Sequence, residues 1–230
     1  MWHTVVMSAA SIRARVRAEM TEEIKNVARR HLATDGANLS LRAVARDVGM
    51  VSSAVYRYFA SRDELLTALI IDAYDALGAV AEAAAGDGPF TGRFVAVGHA
   101  VREWALANPH EWALIYGSPV PGYQAPQDTV GPATRVILLV GQMVRDAYEA
   151  GETRPANRPP QPLAGELAAI GSTVQLDVPP ALVARAMAAW IHLCGAVSVE
   201  LFGQLNNTID DRRAFFALQM EEQASLIVGR

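Results

Sequence analysis

The chain has 230 residues, of which 51% are hydrophobic and 19% are charged, a composition that excludes an intrinsically disordered protein. Alanine is abundant and the β-branched and aromatic runs are short, which favours helix over strand. Because Cys194 is the only cysteine, an intrachain disulfide is impossible and a secreted disulfide scaffold is excluded.

The formal net charge of −4 is distributed unevenly along the chain. Residues 1–62 contain ten Arg/Lys and five Asp/Glu, a net charge of +5, whereas residues 63–230 contain ten and 19, a net charge of −9. A basic segment followed by an acidic one is expected when only one end of a protein meets phosphate. Chance clustering of the arginines is the alternative.

Neither a signal peptide nor a membrane span is expected. The first residues lack the apolar region and small-residue cleavage site of a signal peptide. The longest charge-free apolar stretch of the C-terminal half, residues 186–199, is shorter than the roughly 20 residues that a span requires. We therefore expect a soluble, cytoplasmic protein that does not contact a membrane.

Hydrophobic periodicity predicts only helices, and no alternating strand pattern is present. Residues 1–10 show no periodicity and are expected to form a disordered arm. The N-terminal helices are predicted at about residues 11–34, from the N-cap Ser40 to Gly49, from a cap at Ser52 or Ser53 to about Phe59, and from the cap Ser61 to about Ala85.

The remaining two thirds of the chain are predicted to be helical as well. Asn108, Pro109 and Glu111 occupy N-cap, N1 and N3 of one short helix, and the proline-rich residues 152–162 are expected to form an exposed loop. The other helices are predicted at about residues 90–106, 128–150, 163–171, 180–204 and 210–228.

The fold class is thus predicted to be all-α with two parts. A three-helix head containing a helix-turn-helix covers residues 11–60, with the start of a long fourth helix extending it to about residue 70. That helix joins the head to a larger helical bundle within residues 61–230.

Residues 40–59 meet three requirements of a helix-turn-helix. A small residue, Ala45, lies on the inner face of the first helix. Gly49 stands at the turn, where a positive φ is tolerated. An apolar residue, Val55, lies inside the second helix, which in this motif enters the major groove of DNA.

The second helix has a polar face that suits base edges and phosphates. Val55 and Phe59 can face inward, and we expect Ser40, Arg42 and Arg62 to hold phosphates through charge and backbone amides. The alternative is that Tyr56 or Tyr58 packs in the small core instead. The candidate DNA-binding residues are Ser40, Arg42, Val51, Ser52, Ser53, Tyr56, Arg57, Tyr58, Arg62, Arg13 and Arg15.

Arg13, Arg15 and Arg17 precede this region. They either reach an adjacent groove, as the arms of homeodomains do, or are solvated.

The run GMVSSAVYRYF from Gly49 to Phe59, followed by SRDELL from Ser61, resembles the TetR family of bacterial repressors. The resemblance covers about residues 15–70 and implies a dimeric all-α repressor that releases its operator when a ligand enters its C-terminal domain. It also implies that Tyr56 and Tyr58 contact DNA and that Arg62 holds phosphate at the start of the fourth helix. Val51 departs from the pattern, since a Ser or Thr commonly caps the recognition helix there, so the cap can move to Ser52.

The C-terminal part is less informative. The run WALANPHEWALIYGSP from Trp104 to Pro119 is similar to a motif in one subgroup of TetR-like C-terminal domains and names no ligand. Several aromatic and sulfur-bearing residues can line a pocket for a largely apolar effector, or can simply form core. These candidate ligand-binding residues are Trp104, Trp112, Tyr116, Met143, Tyr148 and Trp190.

The last two helices are rich in small and apolar residues, including Ala188, Gly195, Phe202 and Leu226. Two such pairs can form a four-helix bundle with an isologous interface, which predicts a homodimer. Filling the core of a single subunit is the alternative.

The sequence lacks common enzyme signatures: it contains no HExxH, no Glu-x-x-His pair, no cysteine cluster, no phosphate-binding glycine loop and no GxSxG. We therefore expect neither catalysis nor a cofactor or metal. A ligand-responsive regulator of double-stranded operator DNA fits best. A helical enzyme and a protein-interaction module are the alternatives, and the charge of +5 on the first 62 residues argues against the module.

Overall fold

The computed structural model describes residues 9–36, 39–154 and 157–229, and these residues form ten α-helices and no strand. The predicted all-α class is confirmed. Residues 1–8 of the predicted arm lie outside the described residues, and the first helix already begins at Ala9. The helices are α1 (Ala9–Asp35), α2 (Leu41–Val48), α3 (Ser52–Val55), α4 (Arg62–Ala84), α5 (Phe90–Ala107), α6 (Pro109–Tyr116), α7 (Val130–Glu149), α8 (Leu163–Thr173), α9 (Pro180–Leu201) and α10 (Arg212–Ile227).

Two predicted helix ends differ in the structure. α3 ends at Val55 rather than Phe59, because residues 56–58 continue as turns. The helix predicted from about residue 128 begins with a 3-10 turn, Gln127–Thr129, before α7. Asn108 and Pro109 occupy the N-cap and N1 positions of α6 as predicted. The Asn108 side chain makes no capping bond, since its Nδ2 donates back to the carbonyl oxygen of Trp104 at 2.9 Å.

The chain divides into two compact units, and the division falls within α4, after Ile70. The N-terminal unit comprises residues up to Ile70 together with 118–126, and the C-terminal unit comprises 71–117 and 127 onwards. Residues 118–126 belong with the N-terminal unit although they follow α6 in the chain. There the Tyr123 hydroxyl lies 2.9 Å from Thr67 Oγ1 of α4.

The N-terminal unit has a small apolar core, to which each of its helices contributes residues at helical spacing. Its members are at most 4% exposed. They are Ile24, Val27, Ala28 and Leu32 of α1, Val44 and Ala45 of α2, Val55 and Phe59, and Leu65, Leu66 and Leu69 of α4.

The C-terminal unit has a larger core, built mainly from α5, α7, α9 and α10. Phe94, Met143, Leu193, Phe216 and Met220 are fully buried in it. Among the described residues, α9 is one helix that is long and apolar enough to cross a membrane by length and composition. Its packing against α7, α8 and α10 is the simpler reason for that composition.

A buried ion pair joins α5 to α9. Arg102 donates from Nε to one carboxylate oxygen of Glu200 at 2.7 Å and from Nη2 to the other at 2.5 Å. Both residues are less than 9% exposed. The guanidinium also lies 5.8 Å from the centroid of the Phe216 ring, so the charge is held by a bidentate partner and an aromatic face.

A second arginine links α7 to α4. Arg135 contacts both carboxylate oxygens of Glu82 at 2.8 and 2.6 Å, and Asp75 Oδ1 at 2.8 Å. Gly78 lies between these acids, and a Cβ built there would be 2.6 Å from Arg135 Nε. A glycine is therefore needed for the guanidinium to lie along α4. The pairing with Arg135 lowers the pKa of Glu82.

Replacing Glu200 by Ala should cost about 3–5 kcal/mol of unfolding free energy, because the buried Arg102 guanidinium would lose its partner. The double change Arg102→Met with Glu200→Leu should cost less than Glu200→Ala alone, since it removes both buried charges. Urea unfolding followed by circular dichroism measures these differences.

The control is Glu103, which pairs with Arg213 at 3.4 Å on the surface, where the two side chains are 56% and 69% exposed. Glu103→Ala should change the unfolding free energy by no more than about 1 kcal/mol. A similar cost for Glu103→Ala and Glu200→Ala would contradict the importance of burial.

Candidate nucleic-acid interface

α2 begins and ends at the residues that the sequence predicts. The Ser40 side chain accepts a hydrogen bond from Ala43 N at 3.4 Å at the start of the helix. After its last residue, Gly49 has a φ of 80°. There Gly49 N donates to Arg46 O at 3.0 Å and Met50 N donates to Ala45 O at 2.8 Å. This pair of bonds is a Schellman motif, which a left-handed residue makes possible.

The start of α3 differs from the prediction. Val51 occupies the N-cap position with extended φ and ψ and supplies no side-chain bond, so the predicted cap at Ser52 or Ser53 was wrong. The first turn is instead closed by the backbone, through Ala54 N and Val51 O at 2.8 Å. The Ser52 and Ser53 side chains are exposed and are left available to a ligand.

α3 is held by its buried face. Ala54, Val55 and Phe59 are at most 7% exposed, and Ala45 opposite them on α2 is fully buried. The predicted inward positions of Ala45 and Val55 are confirmed. Since four residues form only one helical turn, packing rather than helix propensity must stabilise this segment.

The start of α4 is capped as predicted. Glu64 N donates to Ser61 Oγ at 3.1 Å, and Ala60 N donates to Glu64 Oε2 at 2.5 Å. These two bonds resemble a capping box, in which side chains satisfy the first amides of a helix. They fix Arg62 at the first position of α4.

An open cleft of about 470 Å³ lies among these segments. It is lined by Ser40 and Arg42 at the start of α2, by Tyr56, and by Ser61 and Arg62 at the start of α4. Four of the predicted phosphate and base contacts thus lie around one depression. Two arginines and three hydroxyl groups make that depression cationic and polar.

The two tyrosines lie in different environments. Tyr56 is 46% exposed and lines the cleft, while Tyr58 is half-buried. Arg57 between them is exposed. Neither tyrosine is among the buried core residues of the head.

Arg17 has a role that sequence reasoning missed. Its Nη2 donates to the carbonyl oxygen of Arg57 at 2.8 Å, and its Cζ lies 5.1 Å from the centroid of the Tyr58 ring. It is therefore neither simply solvated nor directed away from the head. Arg13 and Arg15 are exposed on the same helix, and Arg15 lies 3.4 Å from Glu19.

A second polar link connects α1 to α2. His31 Nε2 lies 2.8 Å from Asp47 Oδ2, and Arg46 Nε donates to the other oxygen of Asp47 at 3.1 Å. The hydrogen bond from Arg46, followed by that from His31, lowers the pKa of Asp47. The negative charge of Asp47 is thus matched within the head.

The structure brings some of the candidate ligand-binding residues together. The rings of Trp112 and Tyr116 are 4.5 Å apart between centroids, and Tyr74 of α4 meets Tyr116 edge-on at 6.0 Å. Trp190 and Cys194 of α9 pack against the same core. Burial, followed by the neighbouring Cys194 and Tyr74, raises the pKa of Tyr116, and burial raises that of Cys194 to about 12. Both groups therefore stay neutral near pH 7.

The other candidates are spread out. Met143 is fully buried and Trp104 is half-buried, whereas Tyr148 is 41% exposed near the end of α7. Three buried nitrogens of the C-terminal unit have no hydrogen-bond partner among the described residues: His99 Nδ1, Trp190 Nε1 and His192 Nε2. Burial, with the nearby Arg213 and Arg102, lowers the pKa of His99.

Both parts of the chain match known families. Residues 24–69 match the family described as bacterial regulatory proteins, tetR family, and residues 94–223 match the tetracyclin repressor-like C-terminal domain. The HTH-type transcriptional regulator Rv1816 of Mycobacterium tuberculosis (strain ATCC 25618 / H37Rv) is 42% identical over 194 residues, which cover 82% of this chain and 83% of that protein. The regulator Mb1846 of Mycobacterium bovis has the same identity and coverage.

Solved structures agree with this assignment. The crystal structure of the regulatory protein SCO4313 has a TM-score of 0.74 and 32% identity, covering 91% of this chain and 97% of that one. A protein from Rhodococcus sp. RHA1 has the same fold with a TM-score of 0.71 and 21% identity, covering 99% and 100% of the two chains.

TetR-family regulators bind DNA and dimerise. From the two family matches, the mycobacterial relatives and the shared fold, we conclude that this chain belongs to the TetR family of bacterial transcriptional regulators.

Proposed function

We propose that the chain is a cytoplasmic repressor that binds a near-palindromic operator as a homodimer and releases it when a small molecule binds the C-terminal unit. The observation that carries the DNA-binding part is the cleft of Ser40, Arg42, Tyr56 and Arg62 beside the exposed face of α3. This arrangement offers charges and hydroxyls on one side of a head that has its own buried apolar core.

Within this proposal the residues divide by role. Ser52, Ser53, Tyr56 and Arg57 contact bases and set the register, because they lie on or directly after the exposed face of α3. Ser40, Arg42, Tyr58 and Arg62 bind phosphate oxygens, which position the head without reading sequence. Val51 is 71% exposed and can make an apolar contact to a thymine methyl group.

The proposed dimer forms through α9 and α10. Ala188, Ile191 and Gly195 are exposed on one face of α9, at spacings of three and four residues. Phe202 beyond that helix and Leu226 of α10 are 48% and 55% exposed. Apolar side chains left in water on two helices that pack together suit an isologous four-helix interface.

The proposed effector site is the aromatic cluster of Tyr74, Trp112, Tyr116 and Trp190. It is largely apolar, and the Trp190 indole N–H and the Tyr116 hydroxyl are polar groups within it that can orient a ligand. Tyr74 belongs to α4, the helix whose first residues line the DNA-binding cleft. A ligand that favours one position of α4 would lower DNA affinity by the ratio of its affinities for the two states.

Selection of binding sites from a random duplex library with the full-length protein tests the DNA-binding proposal. Two inverted half-sites about one helical turn apart are expected for a dimer. Enrichment of a single unrepeated site, or of none, would contradict it. A thermal-shift screen for ligands, followed by release of the selected operator, tests the effector proposal, and ligands that stabilise the protein without releasing DNA would speak against it.

Arg62→Ala should weaken binding to operator and to random duplex about equally and flatten the dependence of log K on log salt by about one unit. The reason is the loss of one phosphate contact. Fluorescence anisotropy over a range of salt concentrations measures the affinities for the two kinds of DNA and the salt slope. Arg30→Ala, on an exposed part of α1 outside the cleft, is the control, and an unchanged slope for Arg62→Ala would remove its proposed role.

Tyr56→Ala should reduce operator binding by about 1–3 kcal/mol, the range of a specific base contact, and change binding to random duplex much less. Competition between labelled operator and unlabelled random DNA gives the ratio of the affinities for operator and random DNA. Tyr56→Phe separates the hydroxyl from the ring. Equal losses on both kinds of DNA would make Tyr56 a positioning contact.

Ile191→Glu should convert the dimer to a monomer and abolish operator binding at concentrations where the wild type is saturated, because it places charge in an apolar interface. Light scattering after size-exclusion chromatography gives the mass. Leu106→Glu on α5, where Leu106 is 41% exposed, is the matched control. A dimeric Ile191→Glu variant would exclude this face of α9 as the interface.

A further inference from the structure

Arg17 bridges the N-terminal part of α1 and the end of the helix that we propose reads DNA. It lies seven residues before Ile24, the first fully buried apolar residue of α1. Its guanidinium makes two contacts within the N-terminal unit: the hydrogen bond to the carbonyl oxygen of Arg57 at 2.8 Å and the approach to the Tyr58 ring at 5.1 Å.

The segment that it contacts has little support of its own. α3 is one turn long, and its continuation depends on the turn bonds from Arg57 N to Ala54 O at 3.2 Å and from Tyr58 N to Val55 O at 2.9 Å. The last carbonyls of a helix have no partner within it. Arg17 supplies a charged donor to one carbonyl of this region and covers the aromatic ring that follows.

We propose that Arg17 is a positioning residue for sequence recognition. It fixes the backbone at Arg57 and the ring of Tyr58, and so orients the C-terminal end of the reading segment without itself binding phosphate. This inference rests on the proposed function only in assuming that α3 reads DNA. The contacts of Arg17 with the carbonyl oxygen of Arg57 and the ring of Tyr58, called bracing below, are a property of the free protein.

Arg30 provides a matched control of the same residue type on the same helix. Arg17 and Arg30 are both exposed, and they differ in that Arg17 contacts the carbonyl oxygen of Arg57 and the ring of Tyr58. A general effect of positive charge in α1 would be equal at the two positions, whereas an effect of these contacts is confined to Arg17.

Arg17→Met keeps most of the length of the side chain and removes its charge and donors. With the operator selected above, we expect about a tenfold loss of operator affinity, the loss of one charge-assisted hydrogen bond, with random-duplex affinity and salt slope unchanged. Arg30→Met should leave operator affinity, random-duplex affinity and salt slope unchanged. Arg17→Lys keeps a cation over the ring and should recover part of the loss.

Equal weakening on operator and random duplex, with a salt slope lower by about one unit, would show that Arg17 binds phosphate directly and would overturn the proposal. A double-mutant cycle with Tyr58→Leu gives a further check. The effect of Arg17→Met should shrink when the ring is absent, and strictly additive effects would contradict the bracing.

Hydrogen exchange on the DNA-free protein separates this proposal from the proposed function. The amides of residues 55–58 should exchange faster in Arg17→Met than in the wild type, while those of α2 are unchanged. Unchanged exchange at 55–58 would overturn the bracing. If the wild type selects no DNA but the exchange difference is present, the proposed function fails and the structural role of Arg17 stands.

Discussion

The head depends on the left-handed backbone at Gly49. A φ of 80° lets α2 end in a Schellman motif and lets α3 begin three residues later. The short turn packs α3 against α2, and Val55 and Ala45 are both fully buried, so that α3 is held from its inner side. A residue with a Cβ would meet no neighbour at position 49, and the requirement for glycine is therefore one of backbone conformation rather than of space.

This constraint explains why the outer side of the reading segment is polar. A single helical turn is not stable in water, and here Ala54, Val55 and Phe59 pack it onto the rest of the head. Ser52, Ser53 and Arg57 contribute little to that packing because they are exposed. The side chains at these positions can therefore be suited to DNA contact with little effect on the stability of the head.

Sequence patterns predicted the features that depend on neighbouring residues. The caps at Ser40 and Ser61, the turn at Gly49 and the inward positions of Ala45 and Val55 all follow from spacing over a few residues. The end of α3 and the uncapped start at Val51 were missed, because tertiary packing there replaces the side-chain cap that local rules expect. Four residues that line the cleft, Ser40, Arg42, Tyr56 and Arg62, were predicted as DNA contacts. Their convergence could not be predicted, because it depends on how α2, α3 and α4 pack.

Contacts between distant residues could not be predicted. Arg102 and Glu200 are 98 residues apart in the chain, and Arg17 and Arg57 are 40 apart. In each case the sequence around the arginine does not show whether its side chain is solvated, paired with a carboxylate or in contact with an aromatic ring. A basic head of net charge +5 shows that cations are available, but not which of them are already engaged.

The distinction between engaged and available arginines bears on how such a head recognises DNA. Arg42 is exposed and lines the cleft, where phosphate can replace water around it. The guanidinium of Arg17 is directed at a carbonyl and a ring of its own chain, so phosphate would have to compete with both. The proposal therefore gives the two arginines different parts: Arg42 in the cleft supplies general attraction to phosphate, whereas Arg17 keeps the reading segment in the shape that a particular sequence fits.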